Sequence, residues 1–190
     1  MDAVSLVFIL VFFVWFPIEF VTGELLAGAR RRGAEIKILE RGSINLVHYT
    51  VYPALIVAFI LAWYKVTMLP DWTFYLGLIL LAAGVIIRQW AVLTLGCYFS
   101  EQVGVQEGQK VVDTGPYHFI RHPAYTGVLI AFLGIGIAIS SWGATVLLLV
   151  VFALAYGYRI SVEEKALASR LGEGYILYMK RTKRLIPFIL

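Results

Sequence analysis

The stretch "GPYHFIRHPAY", residues 115–125, sets an arginine, a histidine and a proline at the mouth of a long apolar run. Proline suits the first turn of a helix, where its missing N–H is not needed, so Pro123 marks a helix start. Arg121 and His122 then precede that start, and Tyr125 falls in the first turn. The free N–H groups of such a turn can hold an anion or the polar edge of a ligand. The same residues also make an interfacial anchor, with the arginine snorkelling and the tyrosine at headgroup level. A second group is "YRISVEEKAL". Arg159 and Glu163 are spaced to share a helix face, and Glu164 lies about 100° round from Glu163. A cation and two carboxylates at the end of an apolar run are costly unless they have partners or work. A plain Arg–Glu pair capping the run is the other reading. The third group, "QKVVDTGPY", is a short extended strip ending in a Gly-Pro turn, able to lie against a flat ring through its backbone.

The remaining chemistry is sparse. The single cysteine, Cys97, excludes an internal disulfide and any multi-cysteine metal site. It reads as a small buried apolar residue. The three histidines, His48, His118 and His122, are scattered. No nucleophile–base pair stands out, which favours chemistry done by positioning.

The elements that must hold these groups are membrane-like. Of 190 residues, 61% are apolar and 15% charged, where a soluble domain carries about a quarter charged. The apolar residues come in blocks. Spanning a bilayer takes about 20 of them. Ala3 to Val21, Leu46 to Tyr64 and Trp72 to Leu95 qualify, with Pro53 a probable kink in the second. The run from Tyr125 to Tyr158 is too long for one span and is broken at Ser140-Ser141-Trp142-Gly143. It reads as a hairpin, Tyr125 to Ile139 and Ala144 to Tyr158, whose first arm can begin at Pro123. A tail helix, "RISVEEKALASRLG", follows, with Gly172 as its stop. The first block lacks a basic leader and a cleavage pattern and reads as a retained helix. The expected fold is an all-α integral membrane protein with five transmembrane helices, a long cytosolic loop at 96–124 and a C-terminal helix. It forms a single membrane domain over 1–190, with the first two helices in 1–64 and a functional core in 72–190. Arg30, Arg31, Arg32, Lys37 and Arg41, then Lys110 and Arg121, then the cations from Arg159 onward fall on one side of such a bundle, against Lys65 on the other. The amino terminus is therefore expected outside and the tail in the cytosol. The net charge of +4 comes from these connecting segments. It points to orientation and anionic lipid, not to nucleic acid.

Taken together, GPY, RHPxYxG, a hydrophobic hairpin, RI-x-x-EE-x-x-L and G-x-x-Y-x-x-Y resemble the isoprenylcysteine carboxyl methyltransferase family and the related phospholipid methyltransferases. The likeness runs from about residue 95 to 188 on Gly115, Pro116, Tyr117, Arg121, His122, Pro123, Tyr125, Gly127, Arg159, Glu163, Glu164, Gly172, Tyr175, Tyr178 and Pro187. The resemblance implies a cytosol-facing S-adenosylmethionine site. Carried over residue by residue, cofactor contacts fall on Gln109, Lys110, Val111, Val112, Tyr117, His122, Pro123, Ala124, Tyr125, Glu163 and Glu164. The substrate-side arginine falls on Arg159, which with Glu163 is the expected catalytic pair. Family members often carry histidine where Gln109 stands, and a further cofactor glutamine matches either Gln102 or Gln106.

The activity so implied is methylation of the C-terminal carboxylate of a prenylated cysteine, a lipophilic substrate entering from the bilayer among membrane lipid. No metal is called for. Such a carboxyl, with a reference pKa of about 3.5, is already ionised at neutral pH and needs no general base. Arg159 suits an anion, with a planar fork that can grip a carboxylate. Three other readings stay open. A phospholipid amine can be the acceptor. Sterol reductases resemble the same core and use NADPH. A membrane scaffold would use its charges only to set topology. Gly134, Gly136 and Ala138 either permit close helix packing or line a slot for a lipid tail.

Overall fold

The computed structural model describes residues 3–21, 36–40, 42–106 and 108–187. Arg30, Arg31, Arg32 and Arg41 lie outside them. The first apolar block is not one uniform helix. It runs as α1 (Ala3–Ile9), a π-helical stretch (Leu10–Trp15) and α2 (Phe16–Phe20). The wider turns lie directly upstream of Pro17, which has no N–H to give and whose ring clashes with the carbonyl four residues back. After β1 (Ile36–Glu40) come α3 (Gly42–Trp63), which continues through Pro53, and α4 (Thr73–Leu95). Beyond these lie β2 (Val103–Gln106), α5 (Pro123–Ala138), α6 (Trp142–Leu171) and α7 (Glu173–Arg181).

Three helices are long and apolar enough to cross a membrane: Gly42–Trp63, Thr73–Tyr98 and Trp142–Leu171. Val4–Ile18 and Pro123–Ala138 are shorter apolar helices. Large apolar side chains such as Ile79, Ile86 and Leu154 face outward, as in a protein solvated by lipid. The chain is an integral membrane protein and mostly helical.

Two expectations change. The segments read as loops at 22–45 and 96–124 are joined by an antiparallel ribbon, β1 with β2, in register Ile36↔Gln106, Lys37↔Val105 and Ile38↔Gly104, with a bulge before Glu40↔Val103. The protein is therefore not purely α. The tail helix, expected as a separate element after Tyr158, is the continuation of the second hairpin arm. α6 runs unbroken for 30 residues, about 45 Å at ~1.5 Å per residue, well beyond a ~30 Å apolar core. It stops where expected, at Gly172, whose φ of 61° a side chain would resist.

The hairpin turn is held from outside. Ser141 caps α6, accepting from the Ala144 N–H at 3.2 Å, and its hydroxyl meets that of Thr67 at 3.0 Å. Small residues bring α4 and α5 into backbone contact. A Cβ on Gly134 would lie 2.3 Å from Leu81 N, and one on Gly77 would lie 2.2 Å from Ala138 N. Gly134 and Ala138 thus serve packing against α4, and Gly136 serves packing against Thr145 of α6. Gly134→Leu should therefore overpack the seam and lower stability by about 1–3 kcal/mol or more. Gly157→Ala, where nothing lies within 4 Å, should leave the melting temperature unchanged or raise it. Thermal unfolding of the detergent-purified variants checks both.

Candidate active site

The site is built where the starts of α3 and α5 meet the C-terminal half of α6. Proline at the head of α5 starts that helix, and His122 just before it takes a non-helical backbone. The His122 ring is buried and stacks on Tyr125, centroids 5.5 Å apart at 12°. The Tyr125 hydroxyl donates to Glu163 Oε2 at 2.6 Å and accepts from Arg159 Nε at 2.8 Å. Arg159 and Glu163, one turn apart on α6, are thus joined through a phenol on α5.

Arg159 is 4% exposed, and its fork is already occupied. Nη1 donates to Ser43 Oγ at 3.1 Å, and Nη2 donates to the Glu101 carbonyl. Ser43 is itself held by Glu40, whose carboxylate accepts the Ser43 N–H at 2.8 Å at the start of α3. Three of the five guanidinium N–H groups therefore bond protein among the described residues, leaving two. The guanidinium is thus partly committed to the fold, with two donors remaining. Arg159 pins α3, the 96–102 segment and Tyr125 together.

Glu164 points elsewhere. It is 3% exposed and does not line the cavity described below. Its carboxylate takes Arg121 Nε at 2.8 Å, Arg184 Nη2 at 2.8 Å and His122 Nε2 at 3.3 Å. Around this hub the C-terminal strap closes on the Pro123 turn. Arg121 N–H donates to the Lys183 carbonyl at 2.7 Å, His122 N–H to that of Arg184 at 3.0 Å, and Thr126 Oγ1 to that of Leu185 at 2.7 Å. Tyr178 adds a bond from its hydroxyl to the Tyr117 carbonyl at 2.7 Å. Burial pushes the Tyr117 phenol well above its ordinary range and Tyr178 up to about 12, so both are neutral donors at physiological pH.

Two cavities share this framework. The first, about 100 Å³, gathers polar and charged side chains within a largely apolar and aromatic wall; Gln109, Lys110, Val111, Val112, Tyr117, His122, Ala124, Tyr125, Arg159 and Glu163 all line it. Pro123 does not, its part being the helix start. Of the two glutamines left open, Gln102 lines the cavity, whereas Gln106 is buried and donates to the Cys97 carbonyl at 2.6 Å. Gln109 Oε1 accepts from the Gln106 N–H at 2.9 Å. Cys97 itself is half-buried, not a core residue.

The second cavity, about 310 Å³, is walled mainly by apolar and aromatic side chains, among them Trp15, Val47, Val51, Val128, Phe132 and Tyr156. Phe99, Ser100, Tyr125 and Arg159 line both. Sequence reasoning missed Tyr98 to Ser100, which form a wall only because the chain turns back after α4. It also missed Leu167 and Leu171, although these repeat at the helical spacing of Glu163 and were open to the same face argument.

The hub should matter more to the fold than the neighbouring acid. Glu164→Gln leaves two guanidinium groups facing a neutral amide and should cost about 3–5 kcal/mol. Glu163→Gln, at a cavity wall, should cost less than about 1.5 kcal/mol. Circular-dichroism melts of the two purified variants test the contrast.

Comparison with known proteins agrees with this geometry. Residues 76–169 match the model of the isoprenylcysteine carboxyl methyltransferase (ICMT) family. Protein-S-isoprenylcysteine O-methyltransferase B of Arabidopsis thaliana is 30% identical over 120 residues, 62% of this chain and 61% of that protein. The chain thus spans about three fifths of that relative's length. The Bacillus subtilis protein YpbQ is 28% identical over 143 residues, 72% of this chain and 84% of its own. The solved structure of a eukaryotic intramembrane Ras methyltransferase, isoprenylcysteine carboxyl methyltransferase, superimposes with a TM-score of 0.63 at 25% identity, over 75% of this chain and 52% of that one. With the motif turn and the hairpin assembled at one site, the core of the chain over residues 76–169 is similar to the isoprenylcysteine carboxyl methyltransferase family.

Proposed function

We propose that this protein is an S-adenosylmethionine-dependent methyltransferase that esterifies the C-terminal carboxylate of a prenylated cysteine. The observation that carries the reading is the shared wall: a chamber that collects Gln102, Gln109, Lys110 and Glu163 meets a larger slot lined by Trp15, Val47, Val51, Val128 and Phe132 at Tyr125 and Arg159. One reaction partner is then water-borne and the other is held by its lipid tail.

The chamber's donor set fits S-adenosylmethionine. Glu163 offers a carboxylate to a cationic ammonium or to hydroxyls, Gln102 and Gln109 offer amides, and Val111 and Val112 offer an apolar strip. The rings of Tyr98, Phe99, Tyr117 and Tyr125 suit a positively charged sulfur. When bound, this group supplies an electrophilic methyl on its sulfonium. The protein's share is to place the acceptor. Tyr125 is fixed by two hydrogen bonds and cannot swing. Arg159 presents its charge and two remaining donors at the junction, which orients a carboxylate without enclosing it, so one oxygen stays nucleophilic. Positioning of this kind supplies several kcal/mol. His122, held between Glu164 and Tyr125, is a wall of the chamber and not a proton carrier.

Three span-length helices and two shorter apolar ones support a five-span topology. α5 covers only 16 residues, about 24 Å, and fits a site set into the inner face of the bilayer. Trp63, Tyr64, Trp72, Tyr75 and Trp142 are exposed at the end of the bundle opposite the chamber, as an outer aromatic belt. The amino terminus is then outside, and the chamber and tail are cytosolic.

Calorimetry should find S-adenosylmethionine binding that Glu163→Gln weakens about tenfold to a hundredfold, the range expected for a lost charged hydrogen bond; equal binding removes Glu163 from the site. Given labelled cofactor, the protein should methylate N-acetyl-S-farnesylcysteine. Transfer to phosphatidylethanolamine alone would replace the carboxylate reading with an amine one.

A further inference from the structure

The C-terminal strap has an outer face that the chamber does not use. The inner face of α7 is taken up by Tyr175 and Tyr178, both buried. Outward lie Ile176 at 45% and Leu177 at 56% exposure, joined by Phe119 at 59% from the neighbouring turn. Directly after them comes "KRTKR", residues 180–184, in which every residue except Thr182 is a cation and exposed. Lys180 and Lys183 have no ion-pair partner among the described residues, while Arg181 reaches Asp113 and Arg184 reaches Glu164. The exposed apolar side chains are costly in water, and the cations beside them carry little compensating negative charge. This combination suits the boundary of a bilayer, where aliphatic side chains dip into the acyl edge and cations meet phosphate.

The strap is also tied to that depth. Thr126, in the first turn of α5, donates to the Leu185 carbonyl, and the Arg121 and His122 N–H groups donate to the Lys183 and Arg184 carbonyls. The basic run is therefore fastened to the mouth of a membrane helix. The carbonyl that receives the Arg121 N–H belongs to Lys183, whose side chain is exposed, and the next carbonyl, of Arg184, receives the His122 N–H.

We infer that residues 176–186 are a docking surface for anionic phospholipid, and that headgroups bound there tighten the strap on the cofactor chamber. The second half of this inference rests on the proposed S-adenosylmethionine site; the first does not. A phosphate between Lys180 and Lys183 holds the backbone whose carbonyls receive Arg121 and His122. The membrane's surface charge would thereby set how firmly the chamber is closed. A soluble acidic partner would meet the same cations but would leave Ile176 and Leu177 in water.

The test uses the full-length protein in nanodiscs of phosphatidylcholine alone or with phosphatidylglycerol. A fluorophore on Leu177→Cys, in a Cys97→Ser background, should be quenched by lipid brominated near the carbonyl region, and more strongly in the anionic discs. S-adenosylmethionine should bind about fivefold tighter in the anionic discs, a gain corresponding to ~1 kcal/mol for a cation at a charged surface. Lys180→Gln with Lys183→Gln should erase that gain, and so should high salt. The double variant touches neither the chamber wall nor the hub, and its melting curve reports any misfolding. Absence of quenching overturns the docking surface. Quenching with equal cofactor affinity in both discs overturns the coupling. Soluble glycerophosphate reproducing the gain in neutral discs overturns the membrane as its source. Failure of the protein to bind S-adenosylmethionine in any disc sinks the proposed activity and leaves the quenching result standing.

Discussion

Charge in a place that water barely reaches has to be answered by charge, and in this protein the answer is Glu164. Its carboxylate collects Arg121, Arg184 and His122, which come from the turn before α5 and from the far end of the chain. Leaving the buried Arg121 or Glu164 unpaired near the membrane would cost several kcal/mol. That penalty selects one arrangement of three segments that otherwise share little apolar surface. The chamber walls Arg121, His122, Tyr175 and Tyr178 are all positioned by it or by the strap it retains.

A second polar chain does the same work on the other side. Glu40 ends the β-ribbon and holds Ser43, Ser43 receives Arg159, and Arg159 donates to Tyr125. The Tyr125 hydroxyl then reaches Glu163. Hydrogen-bonded charge thus runs from β1 to α6 across the boundary of the two cavities. It explains how a residue expected to bind substrate is also a fixture of the fold. The guanidinium can present its charge to an anion only because its other donors are already committed.

Local signals in the sequence were reliable where the backbone itself carries them. Pro123 begins a helix and Gly172 ends one because those residues restrict or free φ wherever they occur. Most of the chamber was also legible, since its motif turn and acidic pair are short-range patterns. The ribbon was not, because its strands are separated by two membrane-length helices and only pairing reveals them. Its alternating "IKIL" was the one available hint. The π-helical stretch escaped because hydropathy is blind to whether carbonyls reach four or five residues on. The continuity of α6 escaped because a change from apolar to charged residues looks like an end, whereas the helix simply emerges from lipid. The different duties of Glu163 and Glu164 turn on a rotation of about 100° and on partners at the chain's end.

The glycine seam between α4 and α5 bears on which flank of the larger cavity can open. Where Gly77, Gly84, Gly127 and Gly134 let one backbone rest against another, no gap remains for a hydrocarbon chain to part the helices without forcing peptide groups aside. That flank works as a hinge-less bulkhead. The flank where side chains, Phe16 and Tyr52 among them, close the larger cavity is the more yielding one, because rotamers change in nanoseconds and packed backbones do not.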